Sequence, residues 1–204
     1  MLNFKTLAFL ALITLIDRDA GAQAVPTADR LGDLQIGINF SVANPDYSND
    51  VYHLSQPTDG SLRWHGYGAY ADFDFRYHYG IEVDFHQLSG PDPNLYERTY
   101  EIGGRYLHPI RNRFVPYGKL LVGRGVFNFA ALDSSGQSVQ IANLAYNTLS
   151  AGGGLDMRVL PGLNIRVFDY EYQHWLNFPP DKLNPQVLSF GVAYHFHGPM
   201  KLRQ

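Results

Sequence analysis

Residues 149–172 read LSAGGGLDMRVLPGLNIRVFDYEY, and this stretch decides the fold. Up to Val159, apolar or small residues alternate with polar ones, as Leu155 and Asp156 illustrate. Pro161-Gly162 then marks a very tight turn. After the turn, Phe168, Tyr170 and Tyr172 alternate with Val167, Asp169, Glu171 and Gln173. A period of two on both sides of a tight turn predicts an antiparallel β-hairpin.

The same period recurs along the chain from Leu34 onward, and helical spacing is hard to find. Six further segments show it: Leu34–Ser41, Tyr67–Phe75, Ile81–His86, Thr99–Tyr106, Val115–Phe129 and Leu188–Phe196. With the two strands of the hairpin, the sequence predicts eight strands. Most are about 8–11 residues long, which is the length that a tilted strand needs to cross a bilayer.

The predicted connections alternate between long and short. The odd-numbered ones are mostly long and polar: Ala43–Ser61, the six-residue Ser89–Asn94, Ala130–Asn147 and Trp175–Gln186. The even-numbered ones are short: Arg76–Gly80, His108–Phe114 and Pro161-Gly162. An up-and-down antiparallel barrel would place these two sets at opposite rims, as outer-membrane barrels do with outer loops and periplasmic turns.

The N-terminus has the pattern of an export signal. Met1–Lys5 carries one positive charge, Thr6–Ile16 is apolar, and Ala22-Gln23-Ala24 offers small residues for a signal peptidase. A buried amphipathic helix is the alternative interpretation. We therefore predict a signal peptide at 1–24, a short periplasmic segment at 25–33, a barrel at 34–196 and a C-terminal tail at 197–204.

Composition excludes several classes of protein. The 204 residues include no Cys, which rules out disulfides, thiolate zinc sites and a cysteine nucleophile. The net charge of −3 argues against a nucleic-acid-binding surface. The mean hydropathy of −0.21 resembles that of a soluble protein, but an alternating membrane barrel averages to a similar polarity.

The orientation of the apolar face separates two architectures. A secreted or periplasmic lipocalin-like calyx would turn this face inward to bind a small apolar ligand, whereas a membrane barrel turns it outward. The polar face is rich in small residues and mixed charges, which suits a narrow lumen. Aromatic residues lie at strand ends on the apolar face, as in an interfacial girdle: Phe40, Phe73, Phe75, Tyr106, Phe168, Tyr172, Tyr194 and Phe196. Together these features favour the membrane barrel.

The chain resembles the OmpA/OmpX-type superfamily of eight-stranded outer-membrane β-barrels. The resemblance rests on Val115-Pro116-Tyr117-Gly118-Lys119, on the Gly152–Tyr172 hairpin and on the final strand Leu188–Phe196, which is followed by His197–Gln204. It implies a location in the bacterial outer membrane, contact with outer-membrane lipids, delivery by the barrel assembly machinery and an unknown surface partner at the outer loops. It specifies hardly anything about activity.

Eleven titratable residues fall on the predicted inward face: Asp72, Asp74, Glu82, Asp84, His86, Glu101, Arg105, Asp156, Arg158, Asp169 and Glu171. They would form an ion pathway or a catalytic carboxylate cluster if they were functional. We interpret them instead as a structural network, because the lumen of an eight-stranded barrel is only wide enough for side chains.

The fifth strand conflicts with simple alternation. If Leu120 and Val122 face lipid, Arg124 faces lipid too, and in the opposite register Lys119 does. We expect either a β-bulge near Gly123–Gly125 or an Arg124 that reaches the headgroups from a rim.

The sequence offers little support for catalysis or metal binding. The histidines considered are His174, His86 with Ser89, and His195 with His197, and none has the His-x-Ser-Asn spacing of lipid A deacylases. We predict no catalytic residue, metal or cofactor, and we interpret Trp64 and Trp175 as anchors at the membrane interface. The predicted function is that of a small non-enzymatic outer-membrane barrel with a filled lumen. A calyx and a lipid A modifying enzyme are the alternatives.

Overall fold

The computed structural model describes residues 32–44, 64–76, 78–90, 94–110, 113–178 and 183–196. Eight strands follow one another: β1 Asp33–Asn44, β2 Trp64–Arg76, β3 Tyr79–Ser89, β4 Tyr96–Leu107, β5 Phe114–Leu132, β6 Ser138–Leu160, β7 Leu163–Leu176 and β8 Gln186–Phe196. The described residues include no helix long and apolar enough to cross a membrane. The predicted signal peptide and the predicted tail lie outside the described residues, as does most of the segment 25–33.

The strands form one closed antiparallel barrel. Each strand pairs with its neighbours in sequence, and β1 closes the ring on β8. Ile38 of β1, for example, lies opposite Ala69 of β2 and Val192 of β8. Closure leaves no unpaired sheet edge around the wall, which a lipid environment requires. The predicted all-β, eight-stranded up-and-down fold is confirmed.

The apolar face of the barrel points outward. Ile38 is 65% exposed and Leu120 is 66% exposed, whereas their neighbours Asn39 and Lys119 are buried inside the ring. The eight aromatic residues predicted to form a girdle are all exposed on this outer wall. A calyx with an apolar interior is therefore inconsistent with the structure.

The connections confirm the short turns and correct one long loop. The two-residue turn at Pro161-Gly162 is present, and Gly162 adopts a positive φ of 83°, which favours glycine. Ala130–Asn147 was expected to be a loop, but β5 and β6 continue through most of it and leave only residues 133–137 as the connection. The first connection lies almost entirely outside the described residues.

The extended ends of β5 and β6 form a two-stranded hairpin beyond the rest of the barrel. The pairing of β4 with β5 ends at Asn128, and the pairing of β6 with β7 ends at Asn147. At the tip, the Asp133 carboxylate accepts hydrogen bonds from the Ser135 hydroxyl and from the amides of Ser135 and Gln137. The Ser135 hydroxyl is the main cause that lowers the pKa of Asp133 below its ordinary value. The turn therefore has a defined structure although it is exposed.

Strand β7 contains a bulge that the sequence analysis did not predict. Its pairing with β8 shifts between Arg166 and Asp169, so both of these side chains point into the lumen. Val167 was expected on the inward face, but it is exposed together with Phe168. An extra residue on one strand turns two successive side chains outward, which explains the error.

Strand β5 alternates without interruption through its predicted defect. Its pairings with β4 and β6 run through Gly123, Arg124 and Gly125 with no shift, and the first irregularity comes at Phe129 and Ala130. The predicted bulge near Gly123–Gly125 is therefore wrong. Lys119 faces the lumen, and Arg124 is exposed on the outer wall.

Candidate functional site

Three buried cations organise the half of the lumen nearest the short turns. Arg105 comes from β4, Lys119 from β5 and Arg166 from β7, and all three lie among carboxylates of β2, β3, β6 and β7. Because the members come from β2 to β7 and most ion pairs join different strands, the network, which we call the ionic layer, crosses the barrel. Its members are Asp72, Glu82, Asp84, Arg105, Lys119, Asp156, Arg166, Asp169 and Glu171.

Lys119 has the densest set of partners in the ionic layer. Its Nζ atom lies 2.7 Å from Asp169 Oδ2, 2.9 Å from Glu82 Oε1, 2.9 Å from Glu171 Oε2 and 3.3 Å from Asp84 Oδ2. Glu82, Asp84 and Asp169 are close enough together to hold a metal ion, but the Lys119 ammonium contacts all three. The cation that these carboxylates require is therefore part of the chain.

Arg166 lies at the centre of the ionic layer. Its guanidinium donates to Asp156 Oδ1 at 3.1 Å, to Asp72 Oδ2 at 2.9 Å and to Asp169 Oδ2 at 3.2 Å. It also stacks on the ring of Tyr70, with its central carbon 3.6 Å from the ring centroid. A planar guanidinium satisfied around its edge and covered on one face is well suited to burial.

Arg105 connects the same carboxylates from the opposite wall. It forms ion pairs with Asp72 and, at 3.0 Å, with Asp156 Oδ2, and its guanidinium lies 4.3 Å from the centroid of the Tyr117 ring. Gln35 donates to Asp72 and accepts from Asn164 at 2.8 Å. These neutral groups complete the ionic layer on the side of β1 and β7.

The structure places most of the predicted inward residues where they were expected. Asp72, Glu82, Asp84, His86, Glu101, Arg105, Asp156, Asp169 and Glu171 are buried, and Asp74 is half-buried. Arg158 is exposed at the mouth of the lumen instead. The sequence analysis missed Glu97, Lys119 and Arg166. The uninterrupted alternation of β5 signalled Lys119, whereas the bulge concealed Arg166.

Above the ionic layer lies a layer of mostly neutral hydrogen bonds. His86 Nε2 lies 3.2 Å from Asn39 Nδ2 and 3.3 Å from Ser189 Oγ. Glu101 Oε1 accepts hydrogen bonds from Thr148 at 2.7 Å and from Ser150 at 2.6 Å. These contacts fill the middle of the lumen with side chains.

An apolar cluster, which we call the plug, fills the end of the lumen nearest the long connections. It consists of Ala43, Trp64, Leu88, Leu95, Phe127, Phe129, Trp175, Phe178, Leu183 and Val187. The rings of Phe127 and Phe178 are 5.3 Å apart, and those of Trp64 and Phe127 are 5.9 Å apart. Trp175 lies against Gly125, where a Cβ atom would come within 2.4 Å of the indole ring.

The position of the two tryptophans corrects a prediction. Trp64 and Trp175 were expected to be interface anchors, but they are 0% and 1% exposed and lie inside the barrel. Trp64 begins β2 and Trp175 is the last residue but one of β7, and both occupy inward-facing positions, so their rings turn toward the axis. Their amphipathic character alone did not indicate which face they occupy.

Glu97, an acidic residue beside the plug, is buried without hydrogen-bond partners for its carboxylate among the described residues. Glu97 is 1% exposed and lies between Leu88 and Phe127 in the strand register. Neither of its carboxylate oxygens has a hydrogen-bond partner within the described parts of the chain. A buried polar group without partners destabilises a fold.

A small cavity lies at one end of the described lumen. Its volume is about 20 Å³, enough for about one water molecule, and it lies at the mouth beside Asp33, Asp74 and Arg158. Beyond it, the ionic layer and then the plug occupy the axis.

Comparison with known proteins agrees with this architecture. Residues 8–196 match the family model described as "Outer membrane protein beta-barrel domain". The chain belongs to the outer-membrane β-barrel family. None of the curated proteins matches it significantly.

Solved structures of outer-membrane barrels share the fold. Ail, the attachment invasion locus protein of Yersinia pestis, superposes with a TM-score of 0.52 at 20% identity, covering 82% of this chain and 100% of Ail. Neisserial surface protein A gives a TM-score of 0.54 at 15% identity, covering 82% of this chain and 98% of its own. OprG of Pseudomonas aeruginosa gives 0.54 at 17% identity, with coverage of 83% and 98%.

Membership of the outer-membrane β-barrel family implies a place in the bacterial outer membrane. By the usual topology of such barrels, the short turns face the periplasm and the long connections face outward. The ionic layer is then the periplasmic half of the lumen, and the plug is the outer half.

The histidines considered for catalysis are dispersed in this outer-membrane barrel. His86 points into the lumen and Ser89 points to the outer wall, while His174 Nδ1 lies 2.6 Å from Asn184 Oδ1. His195 lies 3.6 Å from Asp33, and His197 is outside the described residues. His65, rather than His86, is the cross-strand neighbour of Ser89. His65 and Ser89 form no hydrogen bond, and no described carboxylate on the outer wall is available to orient His65.

Proposed function

We propose that this protein is a non-enzymatic outer-membrane barrel with a closed lumen. Its role is to expose its outer connections and the β5–β6 hairpin at the cell surface, where a partner can bind them. The observation that supports the proposal most directly is the filling of both halves of the lumen by side chains. Lys119, Arg105 and Arg166 fill one half with ion pairs, and Trp64 and Trp175 fill the other half with apolar rings. A solute would have to displace the side chains in both halves.

A conductance measurement tests the closed lumen. We expect the purified, folded chain to give no steady current steps in a planar bilayer at 100 mV, on the order of a resting membrane potential, while a large porin gives them under the same conditions. The Trp175→Ala variant should remain closed as well, because the ionic layer is intact in it. Reproducible current steps from the wild-type chain would contradict the proposal.

The presenting surface includes the hairpin formed by the ends of β5 and β6. On β6, Val139, Ile141 and Leu144 are 41%, 65% and 45% exposed, and they lie beyond the last pairing of β6 with β7. Exposed apolar side chains on a strand mark a contact surface for a partner. We propose that a surface partner binds here and at the connections Ala43–Ser61 and Trp175–Gln186. Attachment, the activity in the name of Ail, is a contact of this kind.

Deletion of the hairpin tests the presenting role. A variant in which residues 131–139 are replaced by a two-residue turn should still form the barrel, because the deleted residues lie beyond the rim. It should also lose binding of cells that carry the protein to host surfaces or to other bacteria. The matched control is Asp133→Asn, which leaves β5 and β6 at full length and should keep binding. If this substitution loses binding to the same extent, the strands of the hairpin are not the contact surface.

A further inference from the structure

The described outer wall of the barrel carries two arginines on adjacent strands. Among the described side chains of the eight strands, histidines aside, Arg98 and Arg124 are the two charged ones that point away from the lumen. They lie on the adjacent strands β4 and β5, where Tyr100 pairs with Arg124 and Arg98 pairs with Val126. Side chains at such diagonal positions are roughly 7–8 Å apart, within joint reach of one small anion.

Both arginines lie near the outer end of the lipid-facing wall. Arg124 pairs with Asn147, which in turn pairs with Leu176, the last residue of β7. An arginine in the middle of the membrane would destabilise the barrel strongly, whereas one near an interface costs almost nothing. Their position therefore fits the level of the lipid headgroups.

Arg98 is held in place for binding. Its Nε and Nη2 atoms donate to Gln87 Oε1 at 3.1 Å and 2.8 Å, and its guanidinium lies 5.3 Å from the centroid of the Tyr96 ring. Gln87 is neutral, so the positive charge of Arg98 is not cancelled. The Nη1 atom of Arg98 forms no hydrogen bond with the described residues, and Arg124 has no carboxylate among them within salt-bridge distance.

We propose that Arg98 and Arg124 form a binding site for the phosphate group of an outer-leaflet lipid, with Gln87 as the positioning residue. Two guanidinium groups without carboxylate partners match a phosphate in charge and in hydrogen-bond geometry. The lipid chains would lie along the neighbouring outer wall, where Tyr100, Val122 and Leu120 are exposed. The proposal goes beyond the presenting role and does not depend on it.

Native mass spectrometry of the full, detergent-solubilised chain tests the site, with diphosphoryl lipid A as the probe. We expect one bound lipid. Affinity should fall about 5-fold for Arg98→Gln or Arg124→Gln and about 25-fold for the double variant, from the usual contribution of an arginine near an anionic surface. Arg113→Gln with Arg158→Gln, which removes two exposed arginines at the opposite rim, is the charge-matched control and should change affinity less than twofold.

Gln87→Glu separates binding from structure. It keeps the acceptor that orients Arg98 but adds a negative charge, so lipid affinity should fall while the folded barrel keeps its gel mobility. Equal affinity for dephosphorylated lipid A, or no loss in the double variant, overturns the proposal. Inorganic phosphate should compete only weakly. If it binds as tightly as the lipid, the site takes free phosphate and the lipid assignment is overturned.

Discussion

The two halves of the lumen are filled by different physical means. In the periplasmic half, Lys119 and Arg166 each contact three or more carboxylates from other strands, so every member depends on the position of the others. In the outer half, the rings of the plug pack without directional bonds. Apolar packing tolerates small changes of shape, whereas a buried charge network fails when one member is lost. The ionic layer should therefore be the more sensitive half.

The largest effect is expected for Lys119→Met. It leaves the carboxylates of Glu82, Asp84, Asp169 and Glu171 without their shared cation, and loss of one partner from a buried ion pair typically destabilises by about 3–5 kcal/mol. The free energy of unfolding can be followed by urea titration of the gel-mobility shift in lipid vesicles. Arg158→Met, at the exposed mouth, is the control and should have little effect. A change for Lys119→Met that equals the control would remove the distinction between the halves.

Trp175→Ala should cost less than Lys119→Met. Removal of a buried tryptophan is expected to destabilise by about 3 kcal/mol, because neighbouring rings such as Phe127 and Phe178 can partly fill the space. The same titration measures it. If Trp175→Ala proves more damaging than Lys119→Met, apolar packing rather than charge dominates the stability of the barrel.

Glu97→Leu should stabilise the barrel. Its carboxylate is buried near the plug without hydrogen-bond partners in the described chain, so an apolar side chain should raise the free energy of unfolding by about 1–2 kcal/mol. Glu101→Leu is the matched comparison on the same strand. Its carboxylate accepts from Thr148 and Ser150, and its loss should destabilise. Destabilisation by Glu97→Leu would indicate a partner for Glu97 and would extend the polar filling into the outer half.

The smallest effect is expected for Ile141→Thr on the hairpin. Ile141 is 65% exposed and outside both halves of the lumen, so the free energy of unfolding should change by less than about 0.5 kcal/mol. Urea titration against the wild-type chain measures the difference. A larger loss would mean that the hairpin stabilises the barrel and is not a separate surface element.

The sequence predicted the fold well because alternation reports directly on the two faces of a strand. The outward aromatic residues and most inward carboxylates followed from counting in steps of two. The period of two predicted the wrong face where a bulge interrupts the alternation. Because β7 has a bulge after Arg166, Val167 faces outward and not inward as predicted. The prediction was also wrong where the composition of a strand segment resembled that of a loop. The polar segment after Ala130 looked like a loop, yet cross-strand pairing made it a hairpin.

The candidate site was harder to predict than the fold. A list of inward charges does not state which charges meet, since Lys119 contacts β3 and β7 from β5 across the lumen. The tryptophans were misplaced because their residue type suits both an interface and a core. The pairing of His65 with Ser89, in place of His86 with Ser89, required the register of β2 against β3.

The crossing of the lumen by Arg166, from β7 to Asp72 on β2, has a consequence for the order of folding. These strands are not neighbours, so the ion pair cannot form in a partly assembled sheet. An open sheet lying in hydrocarbon would keep Arg166 beside Asp156 and Asp169 but would leave the Asp72 carboxylate without Arg166, which is a state of high free energy. The charges must therefore stay hydrated until β1 meets β8, and their dehydration coincides with ring closure. Assembly of the barrel should accordingly be an all-or-none event, with no long-lived intermediate that is both inserted and open.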